Sequence, residues 1–202
     1  MQVHDVIACT WQVEESGGLE TAWVTLGDGH LTARGRAVGL APEPYWVAYT
    51  LQTGDRYVTR RLTVQVESAT GTRTLELVRS ADGAWQADGR TLPDLAGALD
   101  CDLAFCPLTN TMPILRQHLH QQTGTHRLVM AFVSLPDLAV SRSEQGYEHI
   151  GRTGDGAVVR FTAGSFTADL VVDREGLVVR YPRLASRLVR VPASPDQDAA
   201  ES

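Results

Sequence analysis

The sequence predicts a mainly β fold, in which one antiparallel sheet curves into a roll or an open barrel around one or two short helices. Three observations lead to this prediction. Short runs with the two-residue periodicity of β-strands recur along the chain, compact turn sequences separate them, and convincing helical patterns are scarce. A sheet of about a dozen strands has to curl or fold over to cover its apolar face.

Seven predicted strands occupy the first half of the chain. Gly-containing turns separate most of them, among them Gly27-Asp28-Gly29, and Asp-Gly pairs suit the positive φ of hairpin turns. The fifth strand shows the alternation most clearly, because Leu62, Val64 and Val66 share one side while polar residues lie between them. In order, the strands are Val3–Val13, Leu19–Leu26, His30–Val38, Tyr45–Gln52, Tyr57–Glu67, Thr72–Arg79 and Ala84–Gln86.

Two helical segments and seven more strands are predicted in the second half. Residues Leu92–Leu99 favour a short helical turn. The main helix covers Thr109–Leu119, because Asn110 or Thr111 can cap its start and Pro113 suits its first turn. The strands are Asp100–Phe105, His126–Ser134, Leu138–His149, Ala157–Thr162, Ser165–Val172, Leu177–Arg180 and Leu184–Val191.

Size and composition indicate one globular domain. The chain has 202 residues, of which 43% are hydrophobic, enough for a sizeable core. No internal repeat or long linker divides it, so we assign residues 1–190 to a single β domain. The last twelve residues, VPASPDQDAAES, combine three carboxylates with two prolines and predict a disordered acidic tail over residues 191–202.

Charge and the N-terminal sequence narrow the partners and the location. The net charge is −6, without a basic cluster, which argues against a nucleic-acid partner because phosphate binding needs a positive surface. Acidic residues stand where a signal peptide would need basic ones, and no apolar run is long enough to span a membrane. Three cysteines without framework spacing favour reduced thiols. We therefore expect a cytoplasmic protein; the oligomeric state stays open.

Familiar catalytic and metal-binding patterns are absent from the sequence. No Gly-x-Ser-x-Gly elbow occurs. His118 and His120 are two residues apart, and such positions do not face each other on a helix. Cys101 and Cys106 lack the second ligand pair of a zinc site. We predict no metal, no cofactor and no assigned catalytic residue.

Asp100 and Asp102 form a pair that admits two interpretations. Alternation places both carboxylates on the same side of one strand. There they could act as acid or base in a hydrolase or other enzyme acting on a small sugar or acyl ester. Alternatively, they accept hydrogen bonds from a loop or pair with an Arg.

Arg60 carries a charge on a face that is otherwise apolar. Strict alternation puts it on the same side as Leu62 and Val64, and a buried Arg needs an anionic partner. In a structural interpretation, its guanidinium reaches solvent at the rim of the sheet or pairs with a structural Asp. In a functional interpretation, it holds a phosphate or carboxylate at the mouth of a cavity.

One segment resembles a known family. The stretch DCDLAFCPLTNTMPILR, residues 100–116, is similar to the signature of a bacterial glycolipid-binding family long catalogued as a domain of unknown function. Gln145-x-Tyr147, Phe166-x-Ala168-x-Leu170 and Tyr181-Pro182 extend the resemblance. It implies a spiral β-roll or open half-barrel, similar to the periplasmic carriers that shuttle lipoproteins. Leu115 departs from the pattern, which has a basic residue there.

The resemblance and the placement of charge together predict a binding protein for an amphipathic small molecule, such as a glycolipid or an acyl-bearing metabolite. The apolar face of the roll would hold its tail, and two arginines would contact its head group. The predicted ligand-binding residues are Arg60, Trp85, Asp102, Thr109, Asn110, Arg116 and Tyr147. The alternatives are the enzyme that uses Asp100 or Asp102, and a scaffold whose interior is filled by its own side chains.

Overall fold

The described residues form one large, open, curved sheet with a single short α-helix. The computed structural model describes residues 5–192, so almost all of the predicted tail lies outside the described residues. The mainly β prediction is confirmed. The strands are β1 Val6–Val13, β2 Gly18–Gly27, β3 His30–Gly39, β4 Tyr45–Thr53, β5 Thr59–Ser68, β6 Gly71–Arg79, β7 Trp85–Ala87, β8 Arg90–Thr91, β9 Asp100–Leu103, β10 Thr125–Val133, β11 Val140–Thr153, β12 Gly156–Ala163, β13 Phe166–Asp173, β14 Val178–Tyr181 and β15 Ala185–Pro192.

The strand order shows how the chain builds this sheet. It runs β8-β7-β6-β5-β4-β3-β2-β1-β15-β14-β13-β12-β11-β10-β9, so consecutive strands are nearly always neighbours. In the described residues every pair is antiparallel except β9 with β10, where Asp100 lies opposite Met130. A parallel pair needs a longer connection than a hairpin, and here the helical segment supplies it.

The helical segment lies inside the roll. A 3₁₀ turn at Pro107–Asn110 leads into α1, Thr111–Arg116, and every residue of both is buried. The predicted helix continued to Leu119, but the regular helix ends at Arg116 and His118 has a φ of +55°. The second predicted helical turn is a 3₁₀ turn at Pro93–Leu95.

The segment around β9 approaches the other half of the sheet near the start of β5. The amide of Thr59 donates to the carbonyl of Leu99 at 3.0 Å, and the Thr59 hydroxyl lies 3.4 Å from the sulfur of Met112. Trp85 Nε1 donates to the carbonyl of Ala98 at 3.0 Å. These contacts hold the curved sheet around α1 without closing it into a barrel.

Arg60 lies at a β-bulge, and its side chain is not on the face predicted from the sequence. Gln52 of β4 pairs with Arg61 and Thr53 pairs with Thr59, so Arg60 is an extra residue with no partner opposite it. Both Arg60 and Arg61 are therefore exposed, although the alternation of Leu62 and the following residues is as predicted. Arg60 does not lie on the apolar face.

Candidate functional site

A cleft of about 400 Å³ opens between the turn after β9 and strands β10 to β14. Its volume falls in the range of small-molecule sites, so the interior of the roll is not completely filled by its own side chains. The lining is mostly apolar, contributed by Leu103, Ala104, Phe105, Phe132, Phe161, Ala163, Phe166, Tyr181 and Leu184. The polar members of the lining are Glu15, Asp102, Cys106, Asn110, Ser143 and Gln145.

Packed aromatic rings form one wall of the cleft. The Phe161 ring meets those of Tyr181 and Phe166 edge to face, with centroids 5.8 and 6.1 Å apart. Behind it, Tyr147 packs in the same way at 5.3 Å. Such pairs stabilise one another beyond simple burial. The wall is therefore a preformed apolar surface.

A hydrogen-bonded polar network adjoins this wall, since Tyr147 belongs to both. Asp102 accepts hydrogen bonds from the Thr109 hydroxyl at 2.8 Å and from Gln145 Nε2 at 2.6 Å. The Tyr147 hydroxyl lies 3.1 Å from Gln145 Oε1 and 3.0 Å from Asn110 Oδ1. It has one hydrogen, so when it donates to one amide oxygen the other keeps its capacity to accept from a ligand. Burial raises the pKa of Asp102, while its two hydrogen bonds oppose that rise.

Local structure brings these five residues together. Gln145 and Tyr147 are two positions apart on β11, so their side chains point to the same face. Thr109 and Asn110 lie in the 3₁₀ turn, and Asp102 lies on β9. The turn at Phe105, whose φ is +58°, ends β9 two residues earlier than predicted and directs the chain back under the cleft.

Beside this network, Asp100 and Arg116 form a buried ion pair. Arg116 Nη1 and Nη2 each lie 2.5 Å from one Asp100 oxygen, and both side chains are 2% exposed or less. Burial raises the pKa of Asp100, and the guanidinium opposes that rise. The pair ties α1 to β9, because bidentate pairing satisfies both carboxylate oxygens. Arg116 is therefore engaged by the fold.

A second polar cluster lies on the far side of the turn after β9. Glu20 on β2 is fully buried, and its Oε1 accepts from the Tyr49 hydroxyl and, at 2.9 Å, from the Cys106 thiol. Its Oε2 has no hydrogen-bond partner among the described residues. Burial raises the pKa of Glu20 to about 7, and the two hydrogen bonds limit that rise. A small cavity of about 10 Å³ adjoins this cluster, and Cys106 lines both this cavity and the cleft.

Comparison with known proteins shows which family the chain belongs to. Residues 8–187 match the family described as "Putative glycolipid-binding", formerly DUF1089. The chain belongs to this family. A crystal structure of a DUF1089 family protein from Pseudomonas aeruginosa is 32% identical and has a TM-score of 0.70, covering 84% of this chain and 92% of that one. No curated protein matches the chain. The resemblance seen in the sequence is confirmed.

The seven residues predicted to bind a ligand in this glycolipid-binding family member fall into two groups. Asp102 and Asn110 line the cleft, and Thr109 and Tyr147 are hydrogen-bonded to them. The structure places the other three outside the described lining of the cleft. They are Arg60 at its exposed bulge, Trp85 on β7 and Arg116 in its ion pair with Asp100.

Sequence reasoning missed Gln145 and the phenylalanine residues of the cleft. The signal for Gln145 was present, since it shares a strand face with Tyr147 in the Gln145-x-Tyr147 match. Phe161 and Phe166 both lie close to the hairpin that joins β12 to β13. Only the curvature of the sheet shows that they face an open space.

The alternative of an enzyme that uses Asp100 or Asp102 has no support from this geometry. Both oxygens of Asp100 pair with Arg116, and both oxygens of Asp102 accept hydrogen bonds. In residues 5–192, no group of three His, Cys, Asp or Glu side chains is arranged to hold a metal ion. The same residues contain no helix long and apolar enough to cross a membrane.

Proposed function

We propose that the cleft binds an amphipathic small molecule whose polar part is uncharged and rich in hydroxyl groups, as in a glycolipid. The observation that carries this proposal is that one aromatic, apolar wall and a network of amide and carboxylate groups line a single cleft. The family description points to the same ligand class. Such a cleft offers an apolar surface to an acyl or alkyl chain and hydrogen-bonding groups to a sugar.

The apolar wall supplies most of the binding free energy in this proposal. Each methylene group moved from water to an apolar site contributes about 0.8 kcal/mol. Shortening an alkyl chain by two carbons would then weaken binding about tenfold, provided that those carbons contact the cleft. Phe161, Phe166 and Tyr181 are held by one another, so little ordering is required when the chain enters.

The charges of the lining favour a neutral head group over an anionic one. Glu15 and Asp102 are the only ionisable carboxyl groups among the described lining residues, and no Arg or His is found among them. An anion would meet these carboxylates without a compensating cation. A hydroxyl group can donate to the oxygens of Asp102, Asn110 or Gln145. This reverses the expectation that Arg60 and Arg116 hold a phosphate or carboxylate.

Calorimetric titration with three detergents tests the proposal, each used below its micelle-forming concentration. We expect octyl glucoside to bind, octyl phosphate to bind at least tenfold more weakly, and hexyl glucoside to bind about tenfold more weakly than octyl glucoside. Tighter binding of octyl phosphate would contradict the head-group assignment. Absence of binding by all three would contradict the proposed function.

A matched pair of variants locates the site. Ser143 lines the cleft and Ser141, two residues earlier on β11, is exposed. Ser143→Trp is expected to fill the cleft and weaken octyl glucoside binding at least tenfold, whereas Ser141→Trp is expected to leave it unchanged. Equal effects of the two substitutions would place the detergent elsewhere.

A further inference from the structure

Cys106 occupies the boundary between the cleft and the small cavity beside Glu20. It lines both spaces and is 6% exposed. Its thiol donates to Glu20 Oε1 at 2.9 Å. A ligand in the cleft would therefore lie beside a residue whose thiol proton already points toward a carboxyl group.

The buried position of Glu20 is energetically unfavourable for a carboxyl group. It has no exposed surface, and Oε2 has no hydrogen-bond partner among the described residues. The Tyr49 hydroxyl and the Cys106 thiol both donate to the other oxygen, Oε1. An incompletely paired buried carboxyl group destabilises a fold, and an apolar side chain would fill the same space at lower cost. The arrangement suits a proton acceptor better than a structural support.

We propose that Cys106, with Glu20 as its proton acceptor, takes up an acyl group from an ester bound in the cleft. This inference rests on the proposed function, because the cleft has to hold the acyl chain beside the thiol. The ligand class is an acyl ester with a good leaving group, and the product is one thioester per protein molecule.

The reaction balances with the groups at hand. Glu20 Oε1 takes the proton of the thiol as the sulfur attacks the carbonyl carbon of the ester. A carbon–sulfur bond forms, and the bond between the carbonyl carbon and the leaving oxygen breaks. The departing oxygen then takes the proton from Glu20, which returns to its starting form. Tyr49 donates to the same oxygen of Glu20 throughout and holds the carboxyl group in place.

The other two cysteines lack this environment. Cys101 is buried with its sulfur 3.6 Å from the Thr59 hydroxyl, and Cys9 is fully buried on β1. Neither belongs to the described lining of the cleft. Cys9→Ala is therefore a matched control for Cys106→Ala.

Incubation of the full-length protein with p-nitrophenyl octanoate, followed by intact-mass measurement, tests the proposal. We expect a mass increase of one octanoyl group on the wild-type protein and on Cys9→Ala, and none on Cys106→Ala. Release of p-nitrophenol reports the rate, which we expect to fall about a hundredfold or more in Glu20→Gln because the general base is lost. Octyl glucoside affinity in Glu20→Gln is expected to stay within about twofold of the wild type, which separates the chemical role from misfolding.

The outcomes distinguish this inference from the proposed function. If the wild-type protein binds octyl glucoside but gains no octanoyl group, the acylation proposal is wrong and the binding proposal stands. Labelling of Cys106→Ala at the wild-type rate, or an unchanged rate in Glu20→Gln, would also overturn it. If octyl glucoside does not bind, the proposed function fails as well.

Discussion

The substitution Glu20→Gln should change how the stability of the protein depends on pH. Glu20 is fully buried, and burial raises its pKa from 4.5 to about 7. The folded protein therefore holds this proton more tightly than the unfolded chain does. Between these two pKa values the unfolded chain has released the proton and the folded protein has kept it, so the free energy of unfolding falls as the pH rises.

The size of this effect follows from the shift in pKa. One pKa unit corresponds to 1.36 kcal/mol, so the change from 4.5 to about 7 amounts to about 3 kcal/mol. The glutamine side chain would have no proton to lose and would resemble the protonated form of Glu20. Relative to the wild type, we expect Glu20→Gln to gain about 3 kcal/mol in its free energy of unfolding between about pH 4.5 and about pH 8.

Urea denaturation of the two proteins across this pH range measures the difference directly. Asp100 and Asp102 also have raised pKa values, but they are present in both proteins and cancel in the comparison. Glu67→Gln replaces an exposed carboxylate on β5 and serves as the control for the loss of one negative charge. A constant difference between Glu20→Gln and wild type at every pH would show that burial does not raise the pKa of Glu20.

Three further substitutions test the packing described above. Arg116→Ala leaves Asp100 buried without its partner, and we expect the free energy of unfolding in urea to fall by about 3–5 kcal/mol. A loss below about 1 kcal/mol would contradict a structural role for the pair. Gly35→Ala would place a Cβ atom 2.1 Å from the Tyr49 ring, so we expect the free energy of unfolding to fall by about 1–3 kcal/mol in the same assay. An unchanged denaturation midpoint would show that the ring moves freely. Arg60→Ala should leave both the denaturation midpoint and the octyl glucoside affinity unchanged, because the side chain is exposed at a bulge. A weakened affinity would show that Arg60 belongs to the binding site.

The strands were predictable because each one carries its own evidence. Alternation along Leu62, Val64 and Val66, with turn residues at the strand ends, depends only on neighbours in the sequence. The same rule failed at Arg60, since one extra residue in β5 shifts the side chains before Leu62 relative to those after it. A bulge leaves no mark in a pattern of period two unless the partner strand is known.

The site was only partly predictable because its contacts join distant parts of the chain. Thr109 and Asn110 stood out through a specific motif, and the structure brings them to Asp102 and Tyr147. Arg116 was expected to contact the ligand's head group, but the local sequence does not show that α1 packs against β9 and pairs Arg116 with Asp100.

The cluster of Glu20, Tyr49 and Cys106 could not be seen in the sequence at all. Its partners are 29 and 86 residues apart along the chain. Only the curvature of the sheet brings β2 and β4 together with the turn after β9. A polar residue at an inward position of β2 was the one available sign.

Nuclear magnetic resonance can show whether an amphiphile with a neutral head group occupies the cleft. The side-chain amides of Asn110 and Gln145 line the cleft, whereas Gln52 and Gln86 are exposed on β4 and β7. Titration with octyl glucoside is expected to shift the amide signals of the first two and leave those of the other two in place. Shifts confined to Gln52 and Gln86, with Asn110 and Gln145 unmoved at saturation, would contradict the account.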